Sequence, residues 1–114
     1  PQKEIFFQAD PELLEQVLIN LIKNAIDACR EQPNPTVNLN LLRTKDNRTL
    51  IQVVDNGSGI EPEVLDQIFI PFYTTKREGS GIGLSLSRQI IGMHKGTLGV
   101  QTALGEGTVF TISL

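Results

Sequence analysis

The sequence predicts a two-layer α/β sandwich, with a mixed, mainly antiparallel sheet packed on helices. Three observations carry this. Two pairs of alternating apolar segments, "TVNLNLLRT" with "TLIQVVD" and "TLGVQT" with "TVFTISL", are each separated by a short turn and read as β-hairpins. Two longer segments, one before and one between the hairpins, repeat their apolar residues with a helical period. The 114 residues are 39% hydrophobic and 20% charged, as expected of one globular domain that buries a core without staples. Strands bunched in hairpins with helices between them favour a sheet covered by helices.

The elements follow in order. "EIFFQA", Glu4 to Ala9, reads as a short strand. Asp10 then caps a helix, with Pro11 at its first position and Glu12 in its first turn. Leu14, Leu18, Leu21, Ile22, Ala25 and Cys29 keep the helical period to about Arg30, before "QPNP". "KDNR" turns the first hairpin. "EPEVLDQIF" predicts a short helix, and "IPFYTTKREGSG" has no period and predicts a loop. "GIGLSLSRQIIGMHKG" predicts a helix with Gly96 as its stop, and "ALGEG" joins the last two strands. The predicted order is β-α-ββ-α-loop-α-ββ, without internal repeats.

A net charge of −3 argues against a general nucleic-acid or anionic-membrane binder, which would carry a basic patch. The single cysteine, Cys29, has no internal disulfide partner, so a reducing compartment is expected. No apolar run has the length of a membrane span and no signal peptide is visible. The chain begins at Pro1, so it is expected to be part of a longer protein, whose targeting or membrane segment could lie elsewhere.

On the first helix Gln16, Asn20, Lys23, Asn24 and Asp27 fall within one sector about 100° wide. The ordinary meaning of such a stripe is a solvated face. Two asparagines four apart in mid-helix point further, because asparagine is a poor helix former. Neutral amide oxygens suit a hard cation such as Mg²⁺. Three glycine clusters stand out: "DNGSG", "GSGIG" and "GEG". The second lacks the last glycine of a dinucleotide fingerprint, where Leu84 stands, and no strand directly precedes it. It does run into a helix, whose free N–H groups and positive dipole end favour an anion. "VVDNGSGIEP" sets Asp55 at a strand end just before Gly57 and Gly59. That is either plain turn chemistry or an acid facing a pocket beside backbone that a flat ligand can approach.

"LINLIKNAIDA", "DNGSGI", "FIPFYTTK", "GSGIGLSLS" and "GEGTVF" occur in this order. Together they resemble the asparagine box, first glycine box, phenylalanine box, second glycine box and third glycine box of the catalytic ATP-binding domain of bacterial sensor histidine kinases. That domain belongs to the superfamily of DNA gyrase, chaperone and mismatch-repair ATPases and has the Bergerat-type ATP-binding fold with a mobile lid. The resemblance covers about Asp10 to Leu114, and all of residues 1–114 are expected to form one such domain.

The resemblance implies a role for each matching position. Asn24 would hold Mg²⁺, with Asn20 near the phosphates. Asp55 would accept a hydrogen bond from the adenine amino group. Gly57, Gly59 and Ile60 would lie along the purine, with Thr108 beside it. Gly79, Gly81, Gly83 and Leu84 would border the triphosphate, under a lid from about Phe69 to Ser80 that supplies Lys76 as a phosphate cation. Asn20, Asn24 and Lys76 are the expected catalytic residues. Phe69 and Phe72 are expected to be core or lid-anchoring aromatics. Asp27 stands where some of these kinases carry a basic or aromatic residue, so no phosphate contact is carried over to it; it could pair with Lys23 or orient a metal-bound water.

The function so implied is to bind Mg-ATP and donate its γ-phosphate to a histidine on a separate dimerisation domain of the same parent protein. A response regulator receiver domain would be served indirectly, and contact with nucleic acid or membrane by this domain is not expected. A cytoplasmic domain is implied, within a parent that could be anchored in the inner membrane. The hydrolysing relatives hold a glutamate base at the place of Asn20, whose amide cannot accept a proton. Glu15 points about 140° away from it around the helix. The residue types therefore favour phosphotransfer over hydrolysis. His94, the only histidine, follows the last helix and suits a structural or dipole role rather than that of acceptor. The alternatives are an ATP-driven clamp of the gyrase, chaperone or mismatch-repair class, a serine-directed kinase of the same fold, and a non-catalytic nucleotide-binding module.

Overall fold

The computed structural model describes residues 9–71 and 83–114. The predicted strand at Glu4–Ala9 and most of the predicted loop lie outside these residues. Helix α1, Pro11–Ala28, starts as expected: the Asp10 carboxylate accepts from the N–H groups of Glu12 and Leu13 at 3.0 and 3.1 Å, and Pro11 opens the first turn. It ends two residues before the expected Arg30, because Cys29 leaves helical geometry and the Ser58 N–H reaches the Ala28 carbonyl. Strands β1, Val37–Arg43, and β2, Thr49–Asp55, form the first hairpin. Helix α2, Pro62–Leu65, is a single turn, shorter than its nine-residue pattern predicts. Helix α3, Gly83–Met93, precedes the second hairpin, β3, Thr97–Ala103, and β4, Gly107–Ser113.

The sheet has the order β1-β2-β4-β3, and each described pair is antiparallel. Alternation decides its faces. Thr49, Ile51, Val53 and Asp55 of β2 are buried, and so are Thr108, Phe110 and Ile112 of β4. Directly paired residues share a face, so side chains line up in rows across the sheet. One row is Leu39, Val53, Phe110 and Val100; the next is Leu41, Ile51, Ile112 and Leu98. Val17, Leu21 and Ala25 of α1 and Ile90 and Ile91 of α3 complete the core over these rows. The edge strand β1 is exposed throughout. α1 is less enclosed than its sequence suggests, for Ile19 and Ile26 lie on its solvent side.

The end of α3 corrects one expectation. The left-handed residue is Lys95, with φ of 60°, not Gly96. Gly96 donates to the Ile91 carbonyl at 3.0 Å, and a Cβ on it would stand 2.4 Å from the Ser113 carbonyl oxygen. Glycine is needed there for close approach to β4 rather than for positive φ. His94 takes the structural role expected of it. Its Nδ1 lies 2.9 Å from the Ile90 carbonyl and its Nε2 accepts the Asp10 N–H at 3.0 Å, so a neutral imidazole ties the end of α3 to the start of α1.

Two alanine substitutions separate these constraints. Gly92 sits in α3 with nothing within 4 Å of an added Cβ. Gly92→Ala should stabilise the chain by about 0.5–1 kcal/mol, whereas Gly96→Ala should destabilise it by about 1–3 kcal/mol through overpacking. Urea denaturation of both variants checks the opposite signs.

Candidate nucleotide site

The apolar face of the sheet ends in a polar row. Asp55 on β2, Thr108 on β4 and Thr102 on β3 are consecutive cross-strand partners, so their side chains stand side by side. Asp55 and Thr108 are both buried. The Asp55 carboxylate accepts the Gly57 N–H at 2.8 Å. Burial pushes the Asp55 carboxyl above its ordinary pKa, and the backbones of Gly57 and Thr108 offset only part of that. A carboxylate has about four acceptor positions, so capacity remains for an external donor.

The loop after Asp55 is held from both sides. A Cβ on Gly57 would meet the Ala28 carbonyl oxygen at 2.5 Å, and one on Gly59, whose φ is 80°, would meet that of Ala103 at 2.5 Å. These glycines are demanded by the chain's own backbone, whatever lies beside them. Gly105 N–H donates to the Ser58 carbonyl at 2.8 Å, and Ile60 N–H to Thr102 Oγ1 at 2.9 Å. Asn56 fixes the segment after α1, accepting the Thr36 N–H at 2.9 Å and donating to the Asn34 carbonyl at 2.8 Å. Gly107, with φ of 126°, brings β4 so close that a Cβ would stand 2.0 Å from the Asp55 carbonyl oxygen.

On the helix side, Asn20 and Asn24 are half-buried, one turn apart on α1. The Asn20 amide nitrogen donates to the Gly83 carbonyl at 3.4 Å and to Ser87 Oγ at 3.3 Å. Ser87 is fully buried, so this pair locks α1 against the first turn of α3. Gly83 is not needed for space, since its Cβ would make ordinary 3.8 Å contact with Asn20. Gln16 and Lys23, on the same predicted stripe, are exposed, and Asp27 pairs with Arg30 at 3.0 Å. Ile60 and Leu84 pack against the core. Phe69 does the same, and the Arg88 guanidinium lies over its ring, 3.7 Å from the centroid. Phe72, Lys76, Gly79 and Gly81 lie outside the described residues. Among the described residues no group of three or more His, Cys, Asp or Glu side chains could hold a metal.

One site residue escaped the sequence reading. Thr102 accepts from Ile60, donates to the Gly107 carbonyl at 3.1 Å and lies 2.9 Å from Thr108 Oγ1. A lone strand threonine carries no signal by itself. The signal was in the hairpin: pairing Ala103 with Gly107 around the turn sets Thr102 opposite Thr108.

The class defined by this fold and site is an ATPase-type nucleotide-binding domain. Residues 9–114 match the family described as histidine kinase-, DNA gyrase B- and HSP90-like ATPase. The chain is 44% identical over 107 residues to sensor histidine kinase ZraS of Salmonella typhimurium, a match covering 94% of this chain and 23% of ZraS. Among solved structures, the nucleotide-free catalytic domain of histidine kinase ThkA superposes with a TM-score of 0.79 at 34% identity, over 93% of this chain and 68% of that one. Full-length ShkA in complex with AMPPNP superposes with a TM-score of 0.80 at 30% identity, over 92% of this chain and 22% of that one. The chain belongs to this ATPase family, as the catalytic ATP-binding domain of a sensor histidine kinase. It spans less than a quarter of the length of ZraS. Among the described residues no helix is long and apolar enough to cross a membrane.

The raised pKa of Asp55 has a sign that can be measured. Between its ordinary and its raised value the folded chain holds more protons than the unfolded one, so this group's contribution to stability falls as pH rises through that window. Asp55→Asn removes the effect. From pH about 4 upwards, the difference in melting midpoint between the two chains should move in the variant's favour, as thermal melts at a series of pH values would show. Movement in the opposite direction would contradict the assignment.

Proposed function

We propose that the chain binds Mg-ATP and offers its γ-phosphate to a histidine on a separate dimerisation domain of its parent protein. The observation that carries this reading is the contact of Asn20 with Gly83. It joins the asparagine box to the last glycine of the second glycine box, 63 residues away, where α3 begins, as a shared phosphate site requires. Asp55 accepts the adenine amino group, with Thr108, Ile60 and the loop of Gly57 and Gly59 beside the base. Asn24 offers its amide oxygen to Mg²⁺, which when bound would neutralise charge on the phosphates. Asn20 sits near the phosphates, and Gly79, Gly81, Gly83 and Leu84 border them, with Lys76 as an added cation. That full-length ShkA, a structural relative, was solved in complex with AMPPNP supports the nucleotide reading.

Transfer is favoured over hydrolysis by what stands at Asn20. A water-activating base must reach its proton acceptor within hydrogen-bond distance. Asn20 is an amide with its nitrogen committed to α3, Glu15 is exposed, and Asp27 is paired with Arg30. His94 is no acceptor, since both its ring nitrogens already have partners. The phosphate therefore leaves for a histidine on another domain, and a response regulator follows. No part of this calls for nucleic acid or for membrane contact by the domain itself.

Calorimetry with and without Mg²⁺ tests the binding. Asp55→Asn should weaken ATP by about tenfold or more, for a charge-assisted hydrogen bond of about 1.5–3 kcal/mol is lost. Unchanged affinity with an intact fold would remove Asp55 from the adenine role. The chain alone should hydrolyse ATP slowly and should phosphorylate an added histidine-bearing helical dimerisation domain. Brisk hydrolysis that disappears in Asn20→Ala would contradict the transfer reading.

A further inference from the structure

We propose that Thr102 is a positioning residue that fixes the direction of the Thr108 hydroxyl proton and so makes the base end of the site an acceptor-only surface. This rests on the nucleotide reading above and deepens it.

The inference comes from counting protons. Thr102 Oγ1 has three polar neighbours. Ile60 N–H, at 2.9 Å, can only donate. The Gly107 carbonyl, at 3.1 Å, can only accept. Thr108 Oγ1, at 2.9 Å, can do either. A hydroxyl has one proton and two acceptor positions. If the Thr102 proton goes to Thr108, the Gly107 carbonyl loses its hydroxyl donor and the Thr108 proton must find another acceptor. If it goes to Gly107, Thr108 donates to Thr102, and Thr102 gives one bond and accepts two. The second arrangement satisfies every group and uses the full capacity of the Thr102 hydroxyl. It is therefore the one the geometry selects.

Its consequence lies one strand away. Thr108 stands between Asp55 and Thr102 in the polar row, and its hydroxyl meets Thr102, on the side away from Asp55. With its proton turned to Thr102, Thr108 Oγ1 presents only lone pairs on the side of Asp55. Two neighbouring acceptors with no donor between them suit a ligand edge with an amino group. They reject one with a carbonyl oxygen, whose lone pairs would face theirs unpaired. Asp55 alone would favour an amino purine. Thr102 adds to this by denying the competing keto purine the Thr108 hydroxyl as a donor.

The test compares ATP with inosine 5′-triphosphate, whose purine edge carries a 6-keto oxygen in place of the amino group and an N1–H in place of the bare N1. Thr102→Val keeps the side-chain shape and frees the Thr108 proton; Thr102→Ser keeps the hydroxyl. Calorimetry should show the preference for ATP over inosine triphosphate narrowing by about tenfold in Thr102→Val, the worth of about one hydrogen bond, and holding at the wild-type ratio in Thr102→Ser. If Thr102→Val weakens both nucleotides alike, Thr102 serves only the fold and the proposal fails. Should that variant not fold, neutron diffraction of the wild-type chain reads the proton directly. Nuclear density on Thr108 Oγ1 aimed at Thr102 is expected, and density aimed away from it would overturn the proposal. A wild-type chain that binds neither nucleotide defeats the ATP reading, and the specificity role of Thr102 with it, even with the proton placed as expected.

Discussion

Asp55 is a carboxylate placed at the last position of the sheet's buried face, where burial works against its charge. The surroundings are built to hold it there. The Gly57 N–H donates to one of its oxygens, and the Thr108 backbone favours its charged form. Gly57 can turn back only because it lacks a side chain against Ala28, and Gly107 can pass behind only because it lacks one against the Asp55 carbonyl. Two glycine boxes thus serve one acid. An acid held in this way is poorly arranged for stability alone, which supports the ligand role proposed for it.

The second half of the site depends on a helix contact rather than on the sheet. Asn20 is locked to Gly83 and Ser87, which sets the register of α1 against α3. His94 ties the other ends of the same two helices. With both ends joined, the asparagine stripe and the start of α3 cannot slide past one another independently. Catalysis by positioning needs this rigidity, because phosphoryl transfer asks for alignment and charge neutralisation more than for covalent help.

Most of the fold was legible in the sequence because its signals are local. The Asp10 cap, the two periods and the hairpin turns each fix an element through near neighbours. What was misread depends on contacts between distant segments. α1 stops at Ala28 because the Ser58 loop packs on it, and Gly96 is required by β4 rather than by the turn it was assigned to. α2 carries a nine-residue pattern but forms one turn. Ile19 and Ile26, outside the apolar period read for α1, face solvent, since the core reaches only one side of the helix. In the candidate site, Asn20, Asn24, Asp55 and Thr108 were singled out through motifs. Thr102 was not, because its meaning lies in its partner across the hairpin. The glycines of the first box were read as clearance for a base, and the structure gives Gly57 and Gly59 a prior duty toward Ala28 and Ala103.

The central claim is that the acid of the sheet edge and the amide of the long helix hold opposite ends of one nucleotide. A crystal structure of the chain with a non-hydrolysable ATP analogue and Mn²⁺ in place of Mg²⁺ tests it most directly. The account predicts the purine amino group within about 3 Å of the Asp55 carboxylate, and an anomalous peak at about 2.1–2.2 Å from the Asn24 amide oxygen. A nucleotide bound elsewhere, or a metal held without Asn24 while Asp55 faces no ligand, would contradict it.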